Sequence, residues 1–221
     1  KLESFGSSLK VFYSSPEEAF RSLLDKYEIA SVYANKDYEP YARMRDANIS
    51  GLLNGKGVPF NLFKDHLIFE EGEVIKDDGK PYTVFTPYSR KWKKYLSQNR
   101  IEFFPSETLT GSFIKTDPYS MPDLLEIGFN ASKIRIPAPD ISEPLIRNYA
   151  ATRNLPAVNG TSRLGIHLRF GTLSIRQIAQ RATEWSEIFL NELIWREFFS
   201  SVLWHFPEVA EKSFDNRYDF I

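Results

Sequence analysis

Two stretches of the chain carry side chains that could bind an anion or a flat heterocycle. The first, Gly160–Gly165, combines two hydroxyls, a guanidinium and backbone N–H groups just before a helical pattern. The first amides of a helix lack partners and the helix dipole favours anions, so the composition is typical of a phosphate-binding loop. A plain helix cap by Thr161 or Ser162 is the alternative interpretation.

The second stretch is a mostly apolar helix that also carries charges. Four of its side chains lie at positions i, i+3, i+4 and i+7 and so share one face: Glu192, Trp195, Arg196 and Phe199. A charge in apolar surroundings is costly unless it is paired or binds something. This face could hydrogen-bond a heterocycle through Glu192 while Trp195 stacks on it. An ordinary ion pair between Glu192 and Arg196 is the alternative.

The helix pattern before the loop adds an aromatic ring and a cation. Tyr149 and Arg153 lie four residues apart and share a face, where Arg153 could meet a phosphate. Packing of Tyr149 on the core is the alternative. Residues 133–181 contain eight Lys or Arg but only two acidic residues. Such a basic stretch is typical of phosphate binding, although a solvated helix face has the same composition.

The overall composition excludes several classes of protein. The net charge of −1 argues against a wholly basic nucleic-acid binder, and the absence of cysteine excludes disulfides and thiolate metal sites. Three scattered histidines give no metal-site pattern. No apolar run approaches the roughly 20 residues of a membrane span, and no signal peptide is visible. We therefore expect a cytoplasmic protein without a metal or a membrane partner.

The first hundred residues alternate strand and helix patterns. Strands are predicted at 8–14, 29–35 and 59–64, the second of them buried. Helices are predicted at 16–27, from 39–40 to about 53, and at 87–98. Ser15, Pro16 and Glu18 form a capping-box pattern at the first helix. Strands that alternate with helices indicate a parallel α/β sheet.

The second half of the chain becomes helical after an irregular, proline-rich stretch. Helices are predicted from Ser142, from Ser174 and from about Ser186 to His205. The sequence therefore predicts an incomplete α/β domain over residues 1–98, a connector over residues 99–143 and an incomplete all-α domain over residues 144–221.

Four stretches together resemble one known family, the DNA photolyases and cryptochromes, and most of all the cyclobutane pyrimidine dimer photolyases. They occur in the family's order: DYEPYARMRD (37–46), DDGKPYTVFTPYSRKWK (77–93), YAATRNLPAVNGTSRLGIHLRFGTLS (149–174) and NELIWREFF (191–199). The resemblance implies a Rossmann-like N-terminal domain that can hold an antenna chromophore. It also implies a long connector and a helical domain that binds FAD.

The function implied by the resemblance is light-dependent DNA repair by a deoxyribodipyrimidine photo-lyase, a carbon–carbon lyase. Photoexcited reduced FAD passes an electron to a pyrimidine dimer that has been flipped out of the duplex, and the dimer splits. The implied partner is damaged DNA containing pyrimidine dimers, bound by a monomeric full-length protein. Such a protein would be associated with the nucleoid if it is bacterial. A cryptochrome-type blue-light photoreceptor without repair activity is the alternative. If the resemblance is set aside, the remaining hypothesis is a nucleotide-binding α/β protein with a helical appendage.

The resemblance also implies roles for individual residues. The positions that match flavin-binding positions of the family are Tyr149, Thr161, Ser162, Arg163, Leu164, Gly165 and Phe189, with Thr161–Leu164 near the phosphates. Gly165 replaces the serine of many members, and Phe189 replaces the tryptophan of some. The catalytic pair is Glu192, which hydrogen-bonds the dimer bases, and Trp195, which stacks on them. The DNA-binding set comprises Arg153, Glu192, Trp195, Arg196 and Phe199.

Two departures from the family pattern limit what is expected of this chain. Tyr41 and Ala42 occupy the positions of an Asn-Glu pair found in folate-binding members, which argues against a folate antenna. A deazaflavin, a flavin and no antenna remain open. Members of the family also extend beyond both ends of this chain. We therefore expect a partial chain that binds FAD poorly and is inactive alone.

Overall fold

The computed structural model describes residues 1–220, which divide into two compact units. The first unit comprises residues 1–29 and 103–135, and the second comprises residues 30–102 and the chain from residue 136 onwards. None of the helices in residues 1–220 is long and apolar enough to cross a membrane. The division into three domains predicted from the sequence stays a prediction.

The first unit contains one α-helix, α1 (Pro16–Lys26). Its start confirms the predicted capping box, since the Ser15 hydroxyl accepts the Glu18 N–H at 3.3 Å and the Glu18 carboxylate accepts the Ser15 N–H at 2.9 Å. The rest of this unit is irregular, with three short 3₁₀ turns at Glu3–Phe5, Ser106–Thr108 and Thr110–Ser112.

The predicted strand over residues 8–14 is wrong, because this segment is irregular in the structure. It is tied to the other half of its unit by isolated bonds. Tyr119 N–H donates to the Ser8 hydroxyl at 2.9 Å, and the Tyr13 hydroxyl donates to the carbonyl of Ile127 at 3.2 Å. A β-rich composition forms a strand only where a partner offers a ladder of backbone groups, and the described residues offer none here.

The second unit contains a two-stranded parallel sheet and most of the helices. Its elements are β1 (Val32–Asn35), α2 (Pro40–Asn54), β2 (Phe60–Phe63), α3 (Phe85–Gln98), α4 (Glu143–Thr152), α5 (Gly165–Arg169), α6 (Ile175–Trp185) and α7 (Glu187–His205). These bounds confirm the predicted helices over residues 40–53, 87–98 and 186–205. The stretch between α3 and α4 has only short 3₁₀ turns, as predicted for the irregular segment.

The sheet pairs β1 with β2 in parallel, from Val32 opposite Phe60 to Asn35 opposite Phe63, with α2 as the crossover. The expectation that the first of these strands is buried is wrong. The β1 side chains alternate between half-buried and exposed, and Tyr33 is 68% exposed. This alternation is typical of a sheet that is covered on one face only.

The core of the second unit lies among α3, α4, α6 and α7. Its most completely buried large side chains include Trp92, Ile146, Ile178 and Ile194, one from each helix. Helix α7 is apolar on most of its circumference, and its buried residues are Phe189, Leu190, Leu193, Ile194, Glu197, Phe198 and Ser201. The packing of α7 fixes which of its remaining side chains reach the surface.

Candidate functional site

The loop before α5 has a backbone shape that its sequence explains. A Cβ atom at Gly160 would lie 2.4 Å from the side chain of Thr152, so only glycine fits this approach of loop to helix. Arg163 has φ +55°, in the left-handed region. Its guanidinium donates to the side-chain oxygen of Asn159 at 2.7 Å. The loop is therefore held against α4 at Gly160, and the Arg163 side chain ties it back to Asn159.

The middle of this loop carries a set of donors without acceptors. The backbone N–H groups of Thr161, Ser162, Arg163 and Leu164 donate to no acceptor within residues 1–220, and neither do the hydroxyls of Thr161 and Ser162. The Leu164 side chain is 5% exposed and anchors the loop in the core. Consecutive backbone amides without protein acceptors, with hydroxyls beside them, are a donor set that suits an anion.

Helices α4 and α7 bring two predicted flavin residues and two predicted DNA residues together. Tyr149 packs its ring edge-on against Phe189, with centroids 5.0 Å apart. Arg153 lies over the Tyr149 ring at 5.3 Å and forms an ion pair with Glu192. Burial raises the pKa of Tyr149, and the charge of Glu192 adds to the effect. The alternative ion pair between Glu192 and Arg196 is wrong, because Glu192 binds Arg153 instead.

Trp195 lies between aromatic rings from two helices. Phe85, the first residue of α3, stacks face to face on its indole with centroids 3.6 Å apart and planes at 5°. Phe199 stacks at 5.4 Å and is 60% exposed. The contact with Phe85 was not predicted from the sequence, because the two residues lie far apart in the chain.

Arg196 reaches away from Glu192, towards the loop that follows β2. Its guanidinium donates to the carbonyl of His66 at 2.6 Å and lies 3.2 Å from His66 Nδ1. The Asp37 carboxylate lies 3.5 Å from the other ring nitrogen of His66. Burial lowers the pKa of Arg196. Burial also lowers the pKa of His66, helped by the charge of Arg196. Glu192 and Arg196, which share one face of α7, therefore bind partners in different parts of the unit.

Glu197, which precedes Phe198 in the core, is the most buried charge of this region. It is 3% exposed and accepts three hydrogen bonds, from Ile68 N–H at 2.7 Å, Phe69 N–H at 3.0 Å and the Trp92 indole at 2.6 Å. Burial raises its pKa to about 7, although the three donors act in the opposite direction. The sequence signal for this site was a glutamate in apolar company, but it could not name partners more than 100 residues away.

The comparisons with known proteins bear on both units. The sequence model of the DNA photolyase family matches residues 1–106. A deoxyribodipyrimidine photo-lyase from Alkalihalophilus pseudofirmus is 30% identical to this chain over 98% of it and 49% of the relative. The chain is similar to the DNA photolyases. The resemblance stated from the four sequence stretches is thereby confirmed.

Solved structures confirm the predicted fold class of this chain. An archaeal photolyase from Sulfolobus tokodaii, solved with two FAD molecules, matches 99% of the chain and 48% of its own, with 26% identity and a TM-score of 0.72. A bacterial class III photolyase from Agrobacterium tumefaciens matches 93% of the chain and 47% of its own, with 21% identity and a TM-score of 0.74. The chain spans about half the length of the curated relatives it matches.

Proposed function

We propose that this chain carries the flavin-phosphate loop and the lesion-facing helix of a light-dependent photolyase that splits cyclobutane pyrimidine dimers in DNA. One observation carries the proposal. Helix α7 presents Glu192, a hydrogen-bonding carboxylate, directly beside Arg153, a cation suited to phosphate. Recognition of a flipped-out base needs both, since the base must be bonded while its backbone is held.

The residues present fit the phosphates of FAD. The donor set of Thr161–Leu164 is open in the described part of the chain and suits an anion. Gly165 is exposed, and a Cβ atom there would meet nothing within 4 Å. Tyr149 would support the cofactor, and Phe189, which is buried, would hold the Tyr149 ring in place from α7. When bound, FAD supplies the light-driven electron transfer that splits the dimer.

The chain's own residues then bind and orient the lesion. Glu192 accepts hydrogen bonds from the flipped bases, and Trp195, whose plane is set by the stacked ring of Phe85, stacks on them. Arg153 binds a backbone phosphate beside the lesion. Phe199 lies at the exposed end of the aromatic stack and faces DNA, whereas Arg196, the remaining member of the predicted DNA-binding set, is bound to His66.

An antenna chromophore belongs to the same proposal. Ala42 is 3% exposed and offers no polar side chain at the position where folate-binding relatives have one. A flavin antenna is the candidate we favour over folate, in line with the second FAD of the Sulfolobus photolyase.

Blue-light repair of an oligonucleotide containing one dimer tests the proposed activity. The full-length protein loaded with reduced FAD should repair the dimer only in light, and Glu192→Ala or Trp195→Ala should lower the yield. Glu187→Ala is the matched control, because Glu187 lies on the same helix and pairs with Lys93. If the wild type binds FAD but shows no light-dependent repair, the photoreceptor alternative is favoured. Repair unaffected by the Glu192 and Trp195 substitutions would contradict the pocket assignment.

Cofactor binding has its own test. We expect the isolated 221-residue chain to bind FAD weakly, as seen in its flavin absorption spectrum after desalting. Stoichiometric bound flavin would contradict this expectation. In the FAD-binding protein, Thr161→Val with Ser162→Ala should weaken flavin binding, whereas Thr183→Val on α6, whose hydroxyl bonds its own helix at 2.8 Å, should not.

A further inference from the structure

Arg153 and Glu192 neutralise each other on the surface that we assign to DNA. Both side chains are about one-third exposed, at 32% and 35%, so water and ligands reach them. Arg153 is also held over the Tyr149 ring. The protein therefore presents a phosphate-binding cation whose charge is already compensated by a pocket residue.

We propose that this ion pair sets lesion specificity: undamaged duplex must break it to reach Arg153, whereas a flipped-out dimer offsets the loss by bonding Glu192. The inference rests on the proposed function. It adds a step to the separate roles of the two residues. When the lesion binds, Arg153 and Glu192 give up their ion pair, and Arg153 binds a phosphate while Glu192 binds a base.

The physical basis is a difference between two bound states. A phosphate that draws Arg153 away leaves Glu192 without its cation, beside a polyanion that repels it. With undamaged DNA nothing replaces that cation. With a flipped-out base the ring N–H groups donate to the carboxylate, and a hydrogen bond to a charged group is among the stronger kinds. Specificity then comes partly from a penalty on the wrong ligand.

The size of the effect follows from the exposure of the pair. Breaking a partly exposed ion pair changes a binding constant by about two- to fivefold. A freed Arg153 that gains a phosphate contact should also steepen the dependence of log affinity on log salt by about 0.9. Both effects are within the range of a careful binding titration.

A double-mutant cycle measured in the dark tests the inference. The proteins are the wild type, Glu192→Gln, Arg153→Gln and the double variant, titrated by fluorescence anisotropy against two duplexes of one sequence, with and without a single dimer. Glu192→Gln should bind undamaged duplex about two- to fivefold tighter and lose preference for the dimer. In the Arg153→Gln background the same substitution should change undamaged binding less than about twofold.

The controls separate the ion pair from general electrostatics. Glu187→Gln removes the same charge from the same helix at a residue paired with Lys93, and should leave undamaged binding within about twofold of the wild type. Circular dichroism melting verifies that each variant folds. If Glu192→Gln tightens undamaged binding equally with and without Arg153, simple repulsion explains it and the inference is overturned. No tightening at all overturns it as well.

The outcomes also distinguish this inference from the proposed function. A wild type that prefers the dimer but shows no coupling between Arg153 and Glu192 refutes the ion-pair inference alone. A wild type that binds both duplexes equally refutes the proposed function, and the inference falls with it.

Discussion

Two of the three glutamates of helix α7, Glu192 and Glu197, have opposite surroundings. Glu192 is 35% exposed in its side chain and has one arginine partner at the surface. Glu197 is 3% exposed and accepts two backbone N–H groups and one indole. The first can exchange its partner for a ligand, whereas the second cannot without leaving buried donors unsatisfied.

The two arginines differ in the same way. Arg153 meets Glu192 at the surface, whereas Arg196 is committed to the carbonyl and ring of His66. Together Arg196 and Glu197 bind residues 66–69, the segment after β2, to helix α7. The comparison teaches that charge alone does not mark a ligand site; exposure and the kind of partner do.

The largest expected effect comes from removing the buried carboxylate. Glu197→Ala should lower the free energy of unfolding by about 3–5 kcal/mol, because three buried donors lose their acceptor. Urea denaturation measures it. Glu192→Ala is the matched substitution and should cost less than about 1 kcal/mol. Equal losses in the free energy of unfolding would contradict the view that Glu197 is structural and Glu192 is not.

The pH dependence of stability is the second test. Burial raises the pKa of Glu197 from 4.5 to about 7. Between these values the folded protein holds a proton that the unfolded chain has released, so the free energy of unfolding falls as the pH rises. The fall is at most about 3 kcal/mol and levels off above about pH 7. Urea midpoints measured from about pH 5 to about pH 8 should show this slope in the wild type and a smaller one in Glu197→Gln. Glu192→Gln, which should keep the wild-type slope, controls for the other titrating groups.

An intermediate effect is expected from the aromatic stack. Phe85→Leu should weaken binding of a dimer-containing duplex about three- to tenfold, because Trp195 loses the ring that fixes its plane. Phe85→Tyr keeps the stack and should behave as the wild type. Anisotropy titrations in the dark measure both, with undamaged duplex as the comparison. A loss of the same size with undamaged duplex would count against a role through Trp195.

The smallest effect concerns the surface pair and stability. Arg153→Gln should change the free energy of unfolding by less than about 1 kcal/mol, and added salt should reduce the difference further. Thermal melts at low and high salt measure it. A cost comparable to that of Glu197→Ala would mean that the pair is structural and not exchangeable.

Local signals predicted most of the helices. The capping box of Ser15 and Glu18, the Pro40 start of α2 and the apolar pattern of α7 all act within a few residues, and all were confirmed. The strand over residues 8–14 failed because a strand depends on a partner elsewhere in the chain. Neither the stacking of Phe85 on Trp195 nor the donors to Glu197 left any local trace.

The sequence by itself determined the helices, the parallel pairing of β1 and β2, the donor-rich loop at Thr161–Leu164 and the resemblance to photolyases. Those features depend on residues close together in the chain or on motifs that can be recognised from the amino-acid sequence. Only the tertiary structure decided that Glu192 pairs with Arg153, that Arg196 binds His66 and that Glu197 is buried. The physical reason is that partners and burial come from distant segments packed together, and the energy of a charge depends on both.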